Sequence, residues 1–550
     1  MLDDNKILTL ANAERIPMID NCKMTFEVEN LDNASPATVS RCGIIYISPP
    51  DLNWEPLFDT WCKDRQETKT FASPEETDWI NAFVAKYIEK PNLEIALKKS
   101  YNFMMPCPMI ILVTQFLSLL QAVLQPHYNN QETVDKKTFE LYFIYCMAWA
   151  FGGLFEVDDR AKFHKEILEK SGAPLPPITA ARAQTEKETV FDYCVSYETK
   201  SWKLWEVPEW TPPKRLVFSQ LLIPTSDSQR AEYIMSKIAD LPVVRHKGRH
   251  ENGLRNTLLV GGSGTAKTSV CIMYANKFDA NVMLFKRINF SSATEPRNFQ
   301  DSIESEVERK QARIYVPPNG KQMTVFLDDL SMPFVNAWGD QITLEITRQL
   351  IDQKGFYFLE KDNRGWLKNI DNLQFLGAMN HPGGGRNDIP NRLKRQFFSL
   401  NMTPPSNKSV GDIYGSVLGA LIKAPRYTQD VINMKTLLID ATIVVWETVG
   451  KKLLPTPAKF HYLFNIRELA RVFAGICKVA QQHEFKVIQN VSNLKEKISP
   501  QLFLIGLWRH ECERTFMDKL TNNVDKKVFS DILNRTTKEK FRESLGFDDD

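Results

Sequence analysis

Apolar and polar positions alternate along this chain in two different ways, which separate sheet-forming from helix-forming regions. Between residues 216 and 402, short apolar runs at 257–260, 282–285, 323–327 and 373–379 are separated by stretches with helical spacing. Strands that alternate with helices are typical of a parallel α/β sheet. The pattern therefore predicts one α/β sheet domain over 216–402.

A second set of short apolar runs lies near the start of the chain, at 7–10, 24–28 and 43–47. Each has the length and the β-branched or aromatic content that favours a strand. We interpret residues 1–60 as the C-terminal part of another sheet domain, whose beginning is missing from the sequence.

Helical spacing dominates two further regions, 61–170 and 403–545, and each follows one of the sheet domains. In the first region, the run 104–124 is apolar enough to be considered for a membrane span. Its prolines Pro106 and Pro108 and its glutamines Gln115 and Gln121 favour a buried core helix instead. Residues 171–215 are rich first in proline and threonine and then in aromatic residues, which predicts a linker followed by a hairpin.

An internal repeat supports this division into modules. In both sheet domains an apolar run is followed by an asparagine, and then by a proline with an arginine five residues later. The repeated positions are Asn30, Pro36 and Arg41 in the first copy, and Asn380, Pro390 and Arg395 in the second. We infer two sheet-plus-helix modules in tandem, although so short a match alone could arise by chance.

The composition excludes several classes of protein. Lys and Arg number 69 against 67 Asp and Glu, so the formal charge of +2 provides no field that would attract nucleic acid. The nine cysteines are scattered and never spaced as C-x-x-C, which indicates neither a disulfide framework nor a zinc site and fits a reducing cytosolic compartment. The acidic, polar start at 1–5 predicts no signal peptide, and no membrane association is expected.

The first candidate site is a small-residue loop between a strand and a predicted helix. Consecutive backbone N–H groups in such a loop can converge on phosphate oxygens, Lys267 can bridge the terminal phosphates, and Thr268 can bind magnesium. The loop residues are Gly261, Gly262, Ser263, Gly264, Thr265, Ala266, Lys267, Thr268 and Ser269. Ala266 replaces the second glycine of the usual pattern, and we expect it to have a negative φ, as at a helix start. The alternative is a glycine-rich turn with an incidental lysine.

Two carboxylates end the strand candidate at 323–327. Asp328 can hold a magnesium ion through water, and Asp329 can polarise an attacking water. Most hydrolytic sites of this kind have Glu at the second position, and the shorter Asp329 displaces its carboxylate by about one C–C bond, which matters where errors near 1 Å slow catalysis about a hundredfold. Binding is therefore easier to predict than rapid turnover, and an Asp-Asp turn without function is the alternative.

Further polar residues are candidates for contacts with the terminal phosphate. Asn380 can orient water or touch that phosphate, Arg395 and Arg41 can act as arginine fingers toward a neighbouring module, and Arg467 can close onto the nucleotide from the second helical region. Arg160 is the analogous residue of the first helical region. A strand-ending asparagine and ordinary surface arginines remain the alternatives on spacing alone.

Several long strings in this chain resemble dynein heavy chains, a family of AAA+ P-loop ATPases. They are 2–6 (LDDNK), 34–43 (ASPATVSRCG), 264–268 (GTAKT), 289–294 (NFSSAT), 326–333 (FLDDLSMP), 381–390 (HPGGGRNDIP) and 457–467 (PAKFHYLFNIR). They cover nearly the whole chain. The 264–268 and 381–390 strings are similar to axonemal heavy chains, in particular those of the outer arm.

The resemblance implies tandem AAA+ modules, each a parallel P-loop sheet domain followed by a helical lid, with the first module incomplete. Residues 1–60 and 61–170 would be the end of the second module and its lid, and 216–402 and 403–545 the third module and its lid. Arg41 and Arg395 would then be fingers toward the first and second sites, and Arg467 the third module's lid sensor. ATP or ADP with Mg²⁺ would be the cofactors.

By the same resemblance, the chain is a fragment of a microtubule motor of the axoneme, in a cilium or flagellum. Its partners would be neighbouring AAA+ modules of the same heavy chain and, through regions outside these 550 residues, intermediate chains, light chains and microtubules. The main hydrolytic module, the linker, the stalk and the tail are not included, so hydrolysis by the fragment is expected to be slow or absent. The alternatives are a non-hydrolysing structural segment of the ring and a midasin-like remodelling ATPase.

Overall fold

The computed structural model divides the chain into two units, Met1–Asp59 and Thr60–Asp550. The structure describes residues 6–10, 12–19, 21, 23–28, 30–32, 34–48, 53–67, 75–177, 188–213, 216–241, 244–246, 249–251, 254–383, 386–482 and 499–545. The acidic start at 1–5 and the charged end at 547–550, interpreted as a solvated tail from its composition, lie outside the described residues.

The first unit contains a small hairpin and a one-turn helix. Its elements are β1 (Ile7–Thr9), β2 (Arg15–Pro17) and α1 (Pro36–Val39). β1 and β2 pair antiparallel, and Ser35 caps α1 by accepting from the Thr38 amide (3.2 Å). The predicted strands at 24–28 and 43–47 are wrong, since both segments are irregular and Ile45 is 88% exposed. An apolar segment forms a strand only where a second strand pairs with it. Among the described residues of this unit, no strand pairs with 24–28 or 43–47.

A helical domain with a hairpin follows. Its elements are α2 (Glu55–Glu67), α3 (Glu76–Val84), α4 (Leu93–Ser100), α5 (Met109–Asn129), α6 (Lys136–Gly152), α7 (Val157–Phe163), β3 (Tyr193–Val195) and β4 (Trp202–Leu204). π-Helical turns at Ala85–Glu89 and His164–Glu169 continue α3 and α7. Strands β3 and β4 pair antiparallel, as the aromatic stretch suggested.

Helix α5 is long and apolar enough to cross a membrane by length and composition alone, but 72% of its most apolar window is buried within the fold. It packs along α6, whose residues Phe139, Phe143 and Phe151 are fully buried. Phe116 of α5 lies edge-on to Phe143, with ring centroids 4.9 Å apart. Burial of most of this helix accounts for the continuous apolar run and is typical of a core helix.

The next domain alternates strands and helices. In chain order its elements are α8 (Ser226–Ala239), β5 (Val244–His246), β6 (Arg249–Glu251), β7 (Asn256–Gly261), α9 (Lys267–Ala275), β8 (Met283–Asn289), α10 (Pro296–Glu304), β9 (Glu308–Gln311), β10 (Ile314–Val316), β11 (Gln322–Asp328), α11 (Ile342–Gln353), β12 (Gly355–Tyr357), β13 (Leu367–Ile370), β14 (Leu373–Met379), α12 (Asn391–Lys394) and β15 (Phe397–Met402). Single 3-10 turns lie at Val190–Asp192, Phe218–Gln220, Pro318–Gly320 and Pro457–Lys459.

Five of these strands form one parallel sheet in the order β15-β7-β14-β11-β8. Residues such as Leu258, Val325 and Met379 are fully buried, because helices cover the sheet. The predicted α/β class is confirmed, and the strand predictions at 257–260, 282–285, 323–327 and 373–379 all overlap observed strands. Strand β15 at the sheet edge was not predicted. Neither was the separate four-stranded sheet β12-β13-β10-β9.

A second helical domain completes the second unit. It contains α13 (Asn407–Leu421), α14 (Gln429–Lys452), α15 (Ile466–Gln482), α16 (Pro500–Cys512) and α17 (Asn523–Leu545), and a π-helical turn at Glu513–Met517 continues α16. Ser406 caps α13 by accepting from the Ser409 amide (3.1 Å). The buried Trp508 donates to Thr442 Oγ1 (2.9 Å), which satisfies its indole N–H inside the core.

Candidate functional site

The loop between β7 and α9 connects a strand to a helix, as the sequence predicted, and close contacts require the glycine at its first position. A Cβ at Gly261 would lie 2.7 Å from Thr265 Oγ1 and 2.8 Å from the Met402 carbonyl oxygen, so no larger residue fits. Gly264 has φ +88°, a conformation that side chains disfavour. Thr265 Oγ1 donates to the Gly262 carbonyl (3.1 Å), which closes the turn. The predicted residues from Gly261 to Ser269 thus form one strand–loop–helix unit.

Ala266 departs from the expectation that it would have a negative φ. Its φ is +62° and its ψ is 16°, which places it in the left-handed region immediately before α9. A Cβ in that conformation clashes with the following carbonyl oxygen, at a cost of about 1–2 kcal/mol. The loop therefore holds Ala266 in a conformation that glycine would adopt without this cost. The expectation of a negative φ was wrong.

Lys267, the first residue of α9, turns its ammonium back toward the loop. Nζ donates to the carbonyl oxygens of Gly261 (2.9 Å) and Gly262 (2.7 Å) and to Asn380 Oδ1 (3.4 Å). Burial lowers the pKa of Lys267 to about 8. Asp329 and Asp328 oppose this shift, whereas the positive charges of Arg386 and Arg467 add to it. Two carboxylates and two guanidinium groups therefore lie close enough to Lys267 to affect its pKa.

Thr268 and Asp328 are brought together as the sequence predicted. Thr268 Oγ1 donates to Asp328 Oδ2 (3.2 Å), and Asp328 is 8% exposed at the end of β11. The parallel strands β7 and β11 both end at this edge of the sheet, which is why residues 60 positions apart meet.

Sequence reasoning missed Arg287 on the neighbouring strand β8. Its NH2 group donates to Asp328 Oδ2 (2.7 Å), and its Nε donates to Asn289 Oδ1 (2.9 Å). The register of β8 on β11 places Asn289 opposite Asp328. The sequence does show a basic residue near the carboxyl end of a predicted strand. It does not show the strand register that directs this residue toward Asp328.

Asp329 and Asn380 lie beside Lys267. Asn380 Nδ2 donates to Asp329 Oδ1 (3.4 Å), while Asn380 Oδ1 accepts from Lys267. Asp329 has φ +55°, a left-handed conformation that Asp and Asn adopt more readily than longer side chains. The structure therefore offers a backbone reason for aspartate at this position in place of glutamate.

The second helical domain approaches the loop through the start of α15. A Cβ at Gly264 would lie 3.7 Å from the backbone nitrogen of Ile466, so a side chain at this position would contact the start of α15. Arg467 is the next residue, and its charge reaches Lys267. Arg386, in the loop 381–390, also acts on Lys267 and was not singled out from the sequence. Gly384 and Gly385 of that loop lie outside the described residues.

Two of the predicted arginines of the second unit lie away from this loop. Arg395 is exposed just before β15, whose first residue Phe397 pairs with Asn256 at the start of β7, so it lies at the opposite edge of the sheet. Arg160 is buried and donates to the carbonyl oxygens of Gly153 and Asn401 (2.9 and 2.8 Å). Arg41 belongs to the first unit, where it is exposed after α1.

These groups fit a magnesium-bound polyphosphate. Gly261 and Gly264 have no side chains, which leaves room for the loop amides to approach phosphate oxygens. Lys267 offers a positive charge, and the Thr268 hydroxyl and Asp328 carboxylate are the oxygen ligands that Mg²⁺ prefers. The parallel sheet, the loop at its carboxyl edge and the adjoining helical lid define an AAA+ P-loop module.

Comparisons with known proteins refine this class. Residues 210–405 match the family model of the P-loop containing dynein motor region, residues 80–207 match the dynein heavy chain AAA lid domain, and residues 438–548 match an AAA+ lid domain. The dynein gamma chain of the flagellar outer arm of Chlamydomonas reinhardtii is 41% identical over 96% of this chain. Dynein axonemal heavy chain 5 of Mus musculus is 37% identical over 99% of it.

The chain therefore belongs to the dynein heavy chain family, and its relatives place it among the axonemal members. It spans about 11% of the length of these two relatives. Membership of this family removes the midasin-like alternative.

Proposed function

We propose that residues 216–402 and 403–545 form the third AAA+ module of an axonemal dynein heavy chain and bind ATP or ADP with Mg²⁺. On this proposal, residues 1–60 and 61–170 belong to the second module, and 171–215 is the linker and hairpin between them. The observation that carries the proposal is a set of two hydrogen-bonded pairs that meet at one edge of the sheet, Lys267 with Asn380 (3.4 Å) and Thr268 with Asp328 (3.2 Å).

Each residue of the set has a distinct task in this proposal. The loop amides and Lys267 bind the phosphates, Thr268 and Asp328 hold the Mg²⁺, which neutralises phosphate charge when bound, and Asn380 and Asp329 orient water beside the terminal phosphate. Arg467 approaches from the lid. Arg395 and Arg41 serve as fingers toward sites on neighbouring modules.

The module acts as a regulator within a larger motor. In the heavy chain, nucleotide at this site controls ATP-driven, minus-end-directed microtubule motility in cilia or flagella. Neighbouring AAA+ modules are its direct partners, and the intermediate chains, light chains and microtubules are reached through other regions of the protein. Titration of a fluorescent nucleotide against the wild-type chain and Lys267→Ala tests the binding site.

A second candidate is a structural segment in which bound nucleotide is never hydrolysed. Two observations favour it: the short Asp329 lies in a left-handed backbone conformation, and Arg287 forms an ion pair with Asp328, the carboxylate that would hold Mg²⁺. An ion pair of Arg287 Nη2 with Asp328 Oδ2 at 2.7 Å reduces the negative charge offered to the metal.

Single-turnover hydrolysis separates the two candidates. If Asp329 is the base, we expect slow phosphate release by the wild type and a loss of about 100-fold in Asp329→Asn, the effect of removing a general base. Asp329→Glu lengthens the side chain toward the phosphate but strains the backbone at φ +55°. The exposed Asp362, changed to Asn, is the matched control. Phosphate release that is equal in wild type and Asp329→Asn would favour the structural segment.

The geometry of Ala266 gives a separate prediction. Ala266→Gly removes the left-handed strain and should bind nucleotide at least as tightly as the wild type. Ala266→Val places a β-branched residue at φ +62° and should weaken binding by about tenfold or more, corresponding to about 1.4 kcal/mol. Fluorescent-nucleotide titration measures both variants. Tighter binding by the valine variant than by the glycine variant would contradict the strained conformation.

A further inference from the structure

Asn401 of β15 connects the P-loop domain with the preceding helical domain. It is 2% exposed, and all of its hydrogen-bonding groups are used. Its backbone N–H donates to the Gly153 carbonyl (2.9 Å), its carbonyl accepts from Arg160 (2.8 Å), and its Nδ2 donates to the Phe155 carbonyl (3.1 Å). The remaining group, Oδ1, accepts from His381 Nε2 (2.9 Å). Three of its four groups therefore bind the segment 153–160, which contains the link after α6 and the first turn of α7.

His381 brings this connection to the nucleotide site. It directly follows Asn380, whose side chain contacts both Lys267 and Asp329 at 3.4 Å. A displacement of His381 would therefore move the backbone of Asn380. The hydrogen bond from Lys267 to Asn380 and the hydrogen bond from His381 to Asn401 are joined by the peptide bond between Asn380 and His381. We call these four residues and their contacts the junction network.

The far end of the junction network is held firmly. Arg160 is buried against the rings of Trp149 and Phe191, with its guanidinium carbon 5.4 and 5.3 Å from their centroids. A second connection lies nearby, since the buried Lys394 donates to the Pro106 carbonyl (2.8 Å). Separating these groups would leave buried polar atoms without partners, which is costly. The preceding helical domain is thus joined to β15 and α12 by buried hydrogen bonds.

We propose that His381 is a positioning residue that couples nucleotide binding at the P-loop to the segment 153–160 of the preceding helical domain. This inference rests on the proposed nucleotide site. Nucleotide contacts that draw Asn380 toward the phosphate are transmitted through His381 to Asn401, and motion of the preceding domain alters Asn380 in return. Such coupling is reciprocal by thermodynamic necessity.

Hydrogen exchange of the full chain with and without Mg²⁺-ADP tests the coupling. In the wild type, nucleotide should slow exchange both in the loop 261–268 and in the segment 153–160. His381→Ala should keep the first effect and lose the second, with an affinity about fivefold lower, the value of one ordinary hydrogen bond. His381→Gln retains an N–H donor and should restore the coupling. The exposed His510, changed to Ala, is the matched control.

Different failures have different meanings. No slowing at 261–268 in the wild type would overturn the nucleotide site itself. Slowing at 153–160 that persists in His381→Ala would overturn only the junction network.

A second measurement of nucleotide affinity changes Glu156, at the end of the junction network that lies away from the P-loop. Its single variant gives a result that is independent of whether His381→Ala folds. Glu156 Oε1 accepts from Asn401 Nδ2 (3.3 Å). Glu156→Ala should also lower affinity by about fivefold, and the double variant with His381→Ala should lose no more than either single variant. Losses that add in full would contradict a shared network.

Discussion

Lys267→Ala is expected to weaken nucleotide binding by about 100-fold, because it removes a charge-assisted contact to phosphate worth about 2.7 kcal/mol. In the structure, Nζ reaches the two carbonyl oxygens of the loop and Asn380, so the charge lies at the centre of the site. Titration of a fluorescent ADP or ATP in the presence of Mg²⁺ measures the effect.

The control for this change is a lysine of the same domain outside the site. Lys310 is exposed on β9, and Lys310→Ala should bind nucleotide as the wild type does. Circular dichroism of both variants checks that the fold is kept. Mg²⁺-nucleotide binding that is unchanged in Lys267→Ala would remove Lys267 from the site and, with it, the P-loop assignment.

Sequence reasoning identified the parts of the site that depend on local chain geometry. The loop residues are adjacent in sequence, so their composition alone predicts a strand, a turn and a helix start. The contact of Thr268 with Asp328 is long-range, but it follows from the rule that parallel strands end at the same edge of a sheet. Both features can therefore be derived from the amino-acid sequence alone.

Other features depend on information that composition does not carry. The φ of Ala266 depends on how the loop closes. The contact of Arg287 with Asp328 depends on strand register, and a shift of one residue would turn the Arg287 side chain to the other face of the sheet. Strand β9 (Glu308–Gln311) is wholly exposed and shows no apolar alternation to detect. In the first unit, sequence reasoning predicts strands that do not form. The apolar segments at 24–28 and 43–47 have strand propensity, but no described strand of that unit pairs with them.

Nucleotide affinity should also fall as the pH rises above about 8. The pKa of Lys267 is lowered to about 8, first by burial and further by Arg386 and Arg467. Phosphate binds the protonated ammonium and so raises its pKa in the complex. Above pH 8 the free protein must take up a proton to bind, and affinity falls by up to about tenfold per pH unit until the pKa of the complex is reached. Below pH 8 this group is already protonated and contributes no further slope.

Calorimetric titration between pH 7 and 9.5 in two buffers of different ionisation enthalpy measures this proton uptake directly. Lys267→Arg is the matched variant, because a guanidinium stays charged throughout this range. It should bind more weakly overall, since the geometry of its donors differs, but without proton uptake and with a flat profile. If the arginine variant shows the same slope as the wild type, another group titrates and the low pKa of Lys267 does not govern binding. A slope confined to the wild type would show that burial of this lysine, which holds it against the loop carbonyls, also sets the pH range in which the module retains its nucleotide.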